Sequence, residues 1–297
     1  MDSSSASPTP SGDNLEIPTP RPSSHVREPK RRALPKVLSG ILFTLGVVAL
    51  KLKALLFLAF ENARLLFVNP FEGFGVAQYA VAGGSMLVSV WAYAKSNPLG
   101  ISIGFMIVIL IHEVGHAAVM RAKGLKPNAL VFIPFLGGAV APENQPRNAY
   151  DDAQIGLAGP LAGTFASLAA LQIFKWTGNP DYLAIALLGF AINLLNLLPI
   201  GMLDGGRISG AITKWMWVLG GAALTYKTFS QPNPLMFIIL ILAAFQVYVS
   251  IVREGSKEFY EVTGSQRAAV AIAYFSLVVF LGHQAYMALH RLAALKH

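Results

Sequence analysis

The sequence predicts an all-α polytopic membrane protein of about six to seven transmembrane helices, interrupted once by a small hairpin of short strands. Three observations lead there. Hydrophobic side chains make up 54% of the 297 residues and charged ones 13%, with a mean hydropathy of +0.54, so polar groups are too few to cover a soluble surface. Apolar runs of about 20 residues, the length that crosses a hydrocarbon core, occur near 74–94, 99–120, 152–174, 182–201, 234–252 and 268–290. One further apolar stretch, ALVFIPFLGGAVAP, is broken by Pro134, Gly137, Gly138 and Pro142, and reads as a hairpin of short strands. Helices are the expected spanning element because each satisfies its own backbone, and the alternation a β-barrel requires is not seen.

Taken in order, residues 1–36 are rich in Ser and Pro and end in REPKRRALPK. They read as a disordered tail whose basic end stays on the cytoplasmic side. Residues 37–70 form either an interfacial or a first membrane segment. Lys51 and Lys53 interrupt that stretch, and each lysine near a bilayer centre costs about 3 kcal/mol. The interfacial reading is preferred, since run 99–120 then emerges with Arg121, Lys123 and Lys126 on the positive, cytoplasmic side. In the run at 152–174, Gly156, Gly159 and Gly163 share a face where small residues permit close helix packing, and Pro160 is a potential kink. The piece at 216–229 is short for a span. Paired with run 234–252 it would return Arg253 and Lys257 to the cytoplasm, whereas the last helix leaves Arg291 and Lys296 outside, against the same rule.

The net charge of +8 does not indicate nucleic acid, because Lys and Arg lie mainly between apolar runs, where orientation signals and anionic lipid contacts belong. The absence of cysteine excludes disulfides and thiolate metal sites.

The run at 99–120 contains HEVGH. Residues four apart on a helix lie on nearly the same face, so His112 and His116 can present imidazole nitrogens to one metal ion. Glu113 projects about 100° aside, within reach of a water that such an ion would acidify to a pKa of about 7. It could then act as general base and later as acid. A lone histidine in an apolar helix is usually structural, but two of the six histidines fall at this spacing with Glu between. Ionisable groups at membrane depth are functional by default. His283 and His290, without a partner motif, read as structural or interfacial. A third ligand is wanted for a catalytic zinc, and NLLNLLPIGMLDGGRI offers Asp204 at a comparable depth. Alone, Asp204 reads better as a turn or cap residue before Gly205 and Gly206.

HEVGH in one membrane helix, followed by Asn196, Pro199 and Asp204 in the pattern N-x-x-P-x-x-x-x-D-G-G, resembles the site-2 protease family of intramembrane zinc metalloproteases. The resemblance covers residues 74–210, which it makes a catalytic membrane core, followed by C-terminal transmembrane helices at 211–297. It implies that His112, His116 and Asp204 bind one Zn2+ and that Glu113 is the catalytic acid/base. It also implies that the stretch from Phe132 to Ala141 is a membrane-associated β-hairpin that pairs with unwound substrate, engaging Phe135, Gly137 and Gly138. An exposed strand edge captures an extended peptide through main-chain hydrogen bonds. Asn196, with Asn193 one turn earlier, could hydrogen-bond substrate or the developing oxyanion, although helix packing accounts for Asn193 equally well. The expected partners are transmembrane protein substrates and the lipid bilayer, in a bacterial or archaeal cell membrane, with the active site near the cytoplasmic side. Some family members carry a PDZ domain or a nucleotide-binding pair; neither is visible here, which leaves substrate selection open.

The alternative from another class is a metal transporter or metal-sensing membrane protein using the same ligands. It gives no reason for a glutamate between the histidines or for an apolar hairpin beside them. A catalytically silent scaffold, and a membrane zinc protease whose third ligand is a later glutamate, are weaker. No Glu lies in the apolar runs after Glu113.

Overall fold

The computed structural model describes residues 69–230 and 257–295 except 73 and 202, together with five positions between 237 and 244. The tail at 1–36, the segment at 37–68 and most of run 234–252 lie outside the described residues. Seven α-helices are described in full: α1 (Val76–Ala94), α2 (Leu99–Ala122), α3 (Ala149–Thr177), α4 (Pro180–Asn196), α5 (Asp204–Ile212), α6 (Trp215–Ser230) and α7 (Gly264–Ala294). Strands β1 (Val131–Ile133) and β2 (Gly137–Ala139) lie between α2 and α3 and form an antiparallel pair.

Among the described residues, α2, α3 and α7 are long and apolar enough to cross a membrane. The other runs expected to span either form shorter or less apolar helices or lie outside the described residues. α4 has 17 residues, about 25 Å at 1.5 Å each, short of the roughly 30 Å hydrocarbon core. α1 is diluted by Gln78, two tyrosines and a Gly83–Gly84 pair, and α6 stops at 16 residues.

Local sequence sets the helix ends. Asn148 caps α3 by accepting from the Asp151 N–H at 2.8 Å, and Asp151 and Asp152 place negative charge at the positive end of the helix dipole. α3 closes on Gly178 in the left-handed conformation at φ 70. The next residue, Asn179, already caps α4, with Pro180 in its first turn. This two-residue connection makes α3 and α4 packed neighbours. Pro160 does not interrupt α3, which runs on to Thr177.

α3 is the central helix and packs against α2, α4, α5 and α7. Gly115 of HEVGH faces it, where a Cβ would come within 2.6 Å of the Ala158 carbonyl oxygen. One apolar core joins α3, α4 and α7 through Leu157, Phe190, Val270 and Leu281. A second joins α2 to the hairpin through Met106, Met120, Leu130 and Phe132.

The hairpin pairs Val131 with Ala139, Phe132 with Gly138 and Ile133 with Gly137. Its turn puts Phe135 at φ 67 and Gly137 at φ 104, the latter a conformation glycine adopts without steric cost. Ser85 and Tyr93 of α1 bind it from one side: Ser85 Oγ accepts from the Phe132 N–H and Tyr93 Oη from the Phe135 N–H, each at 3.1 Å. The outward-pointing N–H of Phe132 makes Phe132 and Gly138 a non-hydrogen-bonded pair. The peptide groups of Gly138 therefore face away from β1, along the opposite edge of the sheet.

Candidate active site

His112, Glu113 and His116 are buried on α2, and Asp204 is buried at the start of α5. His112 Nε2 lies 3.1 Å from Asp204 Oδ2, His116 Nε2 lies 3.1 Å from Asp204 Oδ1, and the two Nε2 atoms are 3.1 Å apart. Asp204 is thus neither a plain turn residue nor a side-chain cap. The Gly205–Gly206 pair instead lets the preceding turn fold onto α5, since a Cβ on Gly205 would lie 2.1 Å from the Leu197 carbonyl oxygen.

Hydrogen-bond chemistry fixes which imidazole nitrogens face the cluster. His116 Nδ1 lies 2.7 Å from the Ile155 carbonyl oxygen, which can only accept, so Nδ1 carries the hydrogen. His112 Nδ1 lies 2.8 Å from Asn193 Oδ1, likewise an acceptor. Both Nε2 lone pairs then point inward, toward a carboxylate that brings more negative charge. Asp204 Oδ2 accepts no hydrogen bond although it is buried. Three electron-rich groups held together in this way call for a cation between them, and two imidazoles with one carboxylate are a common catalytic zinc donor set. Their spacing is near the roughly 3.3 Å that tetrahedral bonds of about 2.0 Å impose.

Space is reserved for that cation. A Cβ on Gly159 of α3 would lie 2.2 Å from His116 Nε2 and 2.7 Å from His112 Nε2. One on Gly163 would lie 2.2 Å from Asn193 Oδ1. Reading the glycine face of α3 as helix packing alone therefore needs correction: Gly156 does pack against α5, but Gly159 and Gly163 clear room for the cluster and for a residue that contacts it.

Glu113 Oε1 is 3.9 Å from His112 Nε2, on the side where the hairpin lies. A Cβ on Gly138 would approach Glu113 Cγ to 2.5 Å, so β2 passes directly over this carboxylate. Asn196 Nδ2 is 3.4 Å from His112 Nε2, half-buried at the rim. Asn193 differs from the expectation of a substrate contact. It is fully buried, and its Nδ2 donates to the Gly189 carbonyl at 2.7 Å while Oδ1 faces His112, so both ends of the amide are engaged. Phe135 sits exposed at the hairpin tip, its ring 5.2 Å from that of Tyr93.

α5 is held from several sides. Arg207 donates through Nε and Nη2 to Asp152 Oδ1 at 2.9 and 2.6 Å. Burial alone would lower the guanidinium pKa, and the Asp152 carboxylate more than reverses this, so the guanidinium stays charged. Trp217 Nε1 donates to the Gly206 carbonyl at 2.8 Å, Arg267 donates to the Ile212 carbonyl, and Tyr274 Oη donates to the Leu197 carbonyl at 2.6 Å. None of these supports shows as a motif in the sequence, because each joins residues more than ten positions apart through one side-chain atom.

A buried two-histidine, one-carboxylate cluster with an adjacent glutamate defines a metal-hydrolase type of site. Residues 100–184 match the family model described as Peptidase family M50. The chain is 29% identical over 163 residues to a zinc metalloprotease of Methanocaldococcus jannaschii, covering 50% of this chain and 47% of that protein. It is 28% identical over 105 residues to stage IV sporulation protein FB of Bacillus subtilis, covering 35% and 36% respectively. The matches thus span less than half the length of either relative. The segment that carries HEVGH is thus similar to zinc metallopeptidases of this family, for which zinc is the implied metal.

Proposed function

We propose that this protein is an intramembrane zinc metalloendopeptidase that cleaves peptide bonds in or near transmembrane segments of other membrane proteins, as in regulated intramembrane proteolysis. One observation carries the reading: Glu113 stands between the metal-ligand cluster and a strand edge, 3.9 Å from His112 Nε2 on one side and against Gly138 on the other. A peptide carbonyl brought there by main-chain pairing would meet both an acid/base and a cation site. Such pairing needs a free edge. Because α1 occupies the Phe132 edge of β1, the substrate strand is assigned to the outer edge of β2, at Gly138.

His112, His116 and Asp204 would hold the zinc ion, which supplies Lewis acidity that makes water reactive near neutral pH. Glu113 takes the proton of the attacking water and later delivers it to the departing amine nitrogen. Asn196, with its amide aimed into the cluster, donates a hydrogen bond to the carbonyl oxygen as negative charge develops there. The apolar walls of α2 and α3 keep other water out. A cytoplasmic-side position, in a bacterial or archaeal membrane, is supported by Arg121, Lys123 and Lys126 directly after HEVGH.

A transit site for metal is not favoured, since the family match is to peptidases, and transport leaves Glu113 and the β2 edge without a task. The test is purified protein in proteoliposomes with a single-span substrate. Cleavage is expected, its loss on treatment with a zinc chelator, and its return on adding zinc. Metal flux across the vesicle wall without any cleavage would overturn the proposal.

A further inference from the structure

We propose that Asn193 is a positioning residue that fixes the ring orientation and tautomer of His112, so that its Nε2 lone pair is presented to the metal. The inference rests on the zinc-binding reading above and adds a residue that acts on the ion only through His112.

The argument begins with the amide. The Gly189 carbonyl oxygen cannot donate, so the Asn193 NH2 must face it, at 2.7 Å. That leaves Oδ1 as the only group Asn193 can turn toward His112 Nδ1, 2.8 Å away. An acceptor at Nδ1 places the imidazole hydrogen there and leaves Nε2 free to bind metal. A reversed amide would set two oxygens against each other at Gly189 and leave His112 Nδ1 facing a donor, which would move its hydrogen to Nε2 and block the ligand atom. The direction of a buried amide and the identity of the metal-binding nitrogen are therefore one choice. Gly163 keeps that choice available, since a Cβ there would lie 2.2 Å from Oδ1 and 2.6 Å from Nδ2 of Asn193. His116 receives the same service from a backbone oxygen, Ile155 O at 2.7 Å, whereas His112 depends on a side chain. Outer-shell partners of this kind orient a ligand and raise its basicity.

A packing role and a positioning role make opposite predictions. Asn193→Leu keeps the branched shape and removes the acceptor; Asn193→Asp keeps the acceptor and gives up the donor to Gly189. Zinc affinity of the purified full chain would be measured by competition with a chromophoric chelator, and folding by thermal unfolding. Positioning predicts a roughly 10- to 100-fold loss for Leu and an affinity within a few-fold of wild type for Asp. Packing predicts the reverse, a tolerated Leu and a damaging buried charge, and that result would overturn the proposal. A measurement on the unmodified protein covers the case of a variant that does not fold. The nitrogen NMR spectrum of 15N-histidine-labelled, zinc-loaded protein should show the two metal-bound imidazoles protonated at Nδ1. A metal-bound imidazole protonated at Nε2 would overturn the assignment. If wild type itself retains no zinc, the metal reading fails along with this one. If wild type binds zinc and Asn193→Leu binds it equally, the positioning role alone fails.

Discussion

Gly159→Ala is expected to release zinc from the purified protein while leaving its helices folded. The added methyl carbon would sit 2.2 Å from His116 Nε2 and 2.7 Å from His112 Nε2, distances close to those of a zinc–nitrogen bond and far below carbon–nitrogen van der Waals contact. It would occupy the ion's own volume. α3 has little freedom to withdraw, because it is packed on four neighbouring helices. Nor can the imidazoles swing aside without giving up their Nδ1 contacts to Asn193 and Ile155. The helix itself should not suffer, as alanine is favoured over glycine in a helix interior by about 1 kcal/mol. Metal analysis should fall from one zinc per chain to near zero, with proteolysis lost in parallel and the thermal midpoint of the metal-free protein equal or higher. Full zinc occupancy in the variant would show that the ion binds elsewhere.

Glu113→Gln should produce the converse, a protein that keeps its metal and loses its chemistry. Glutamine matches glutamate in shape and can lie under Gly138 as the native side chain does. At 3.9 Å from His112 Nε2, Glu113 also stands apart from the three side chains that converge at 3.1 Å. What the amide cannot do is accept a proton and give it back. Loss of general acid–base catalysis lowers rates by roughly 10²- to 10⁴-fold, about 3–5 kcal/mol in barrier. The expected result is at least a hundredfold fall in kcat for a defined single-span substrate, with unchanged zinc stoichiometry. Comparison of membrane-protein fragments between cells carrying the wild type and this variant would then identify natural substrates. Cleavage at the wild-type rate would remove Glu113 from the mechanism.

The sequence disclosed this site unevenly. His112, Glu113 and His116 were legible because helical periodicity places them together within one segment. Asp204 required the resemblance to a known family, since an aspartate before two glycines is an ordinary turn signal and its approach to α2 depends on how α4 and α5 pack. The hairpin was legible from its Pro and Gly punctuation, although which of its edges stays open depends on two hydrogen bonds from α1 that no spacing encodes. Gly159 was visible only as a packing residue, and Asn193 as either a substrate contact or a packing residue, not as a partner of His112. What separates function from packing at these positions is a distance of 2–3 Å across a helix interface. The helical class was legible from composition, whereas the lengths of α4 and α6, 17 and 16 residues, were not, because they depend on where the chain turns rather than on the apolar run alone.

The two bonds from Ser85 and Tyr93 to the hairpin have a mechanical result. A two-stranded hairpin alone is marginally stable at best, and α1 occupies one edge of it as a third strand would. Through these bonds the Phe132 and Phe135 amides are tied to α1, so the placement of α1 bears on where β2 and Gly138 lie above Glu113. The position of this one helix thereby helps set the gap in which a peptide would lie.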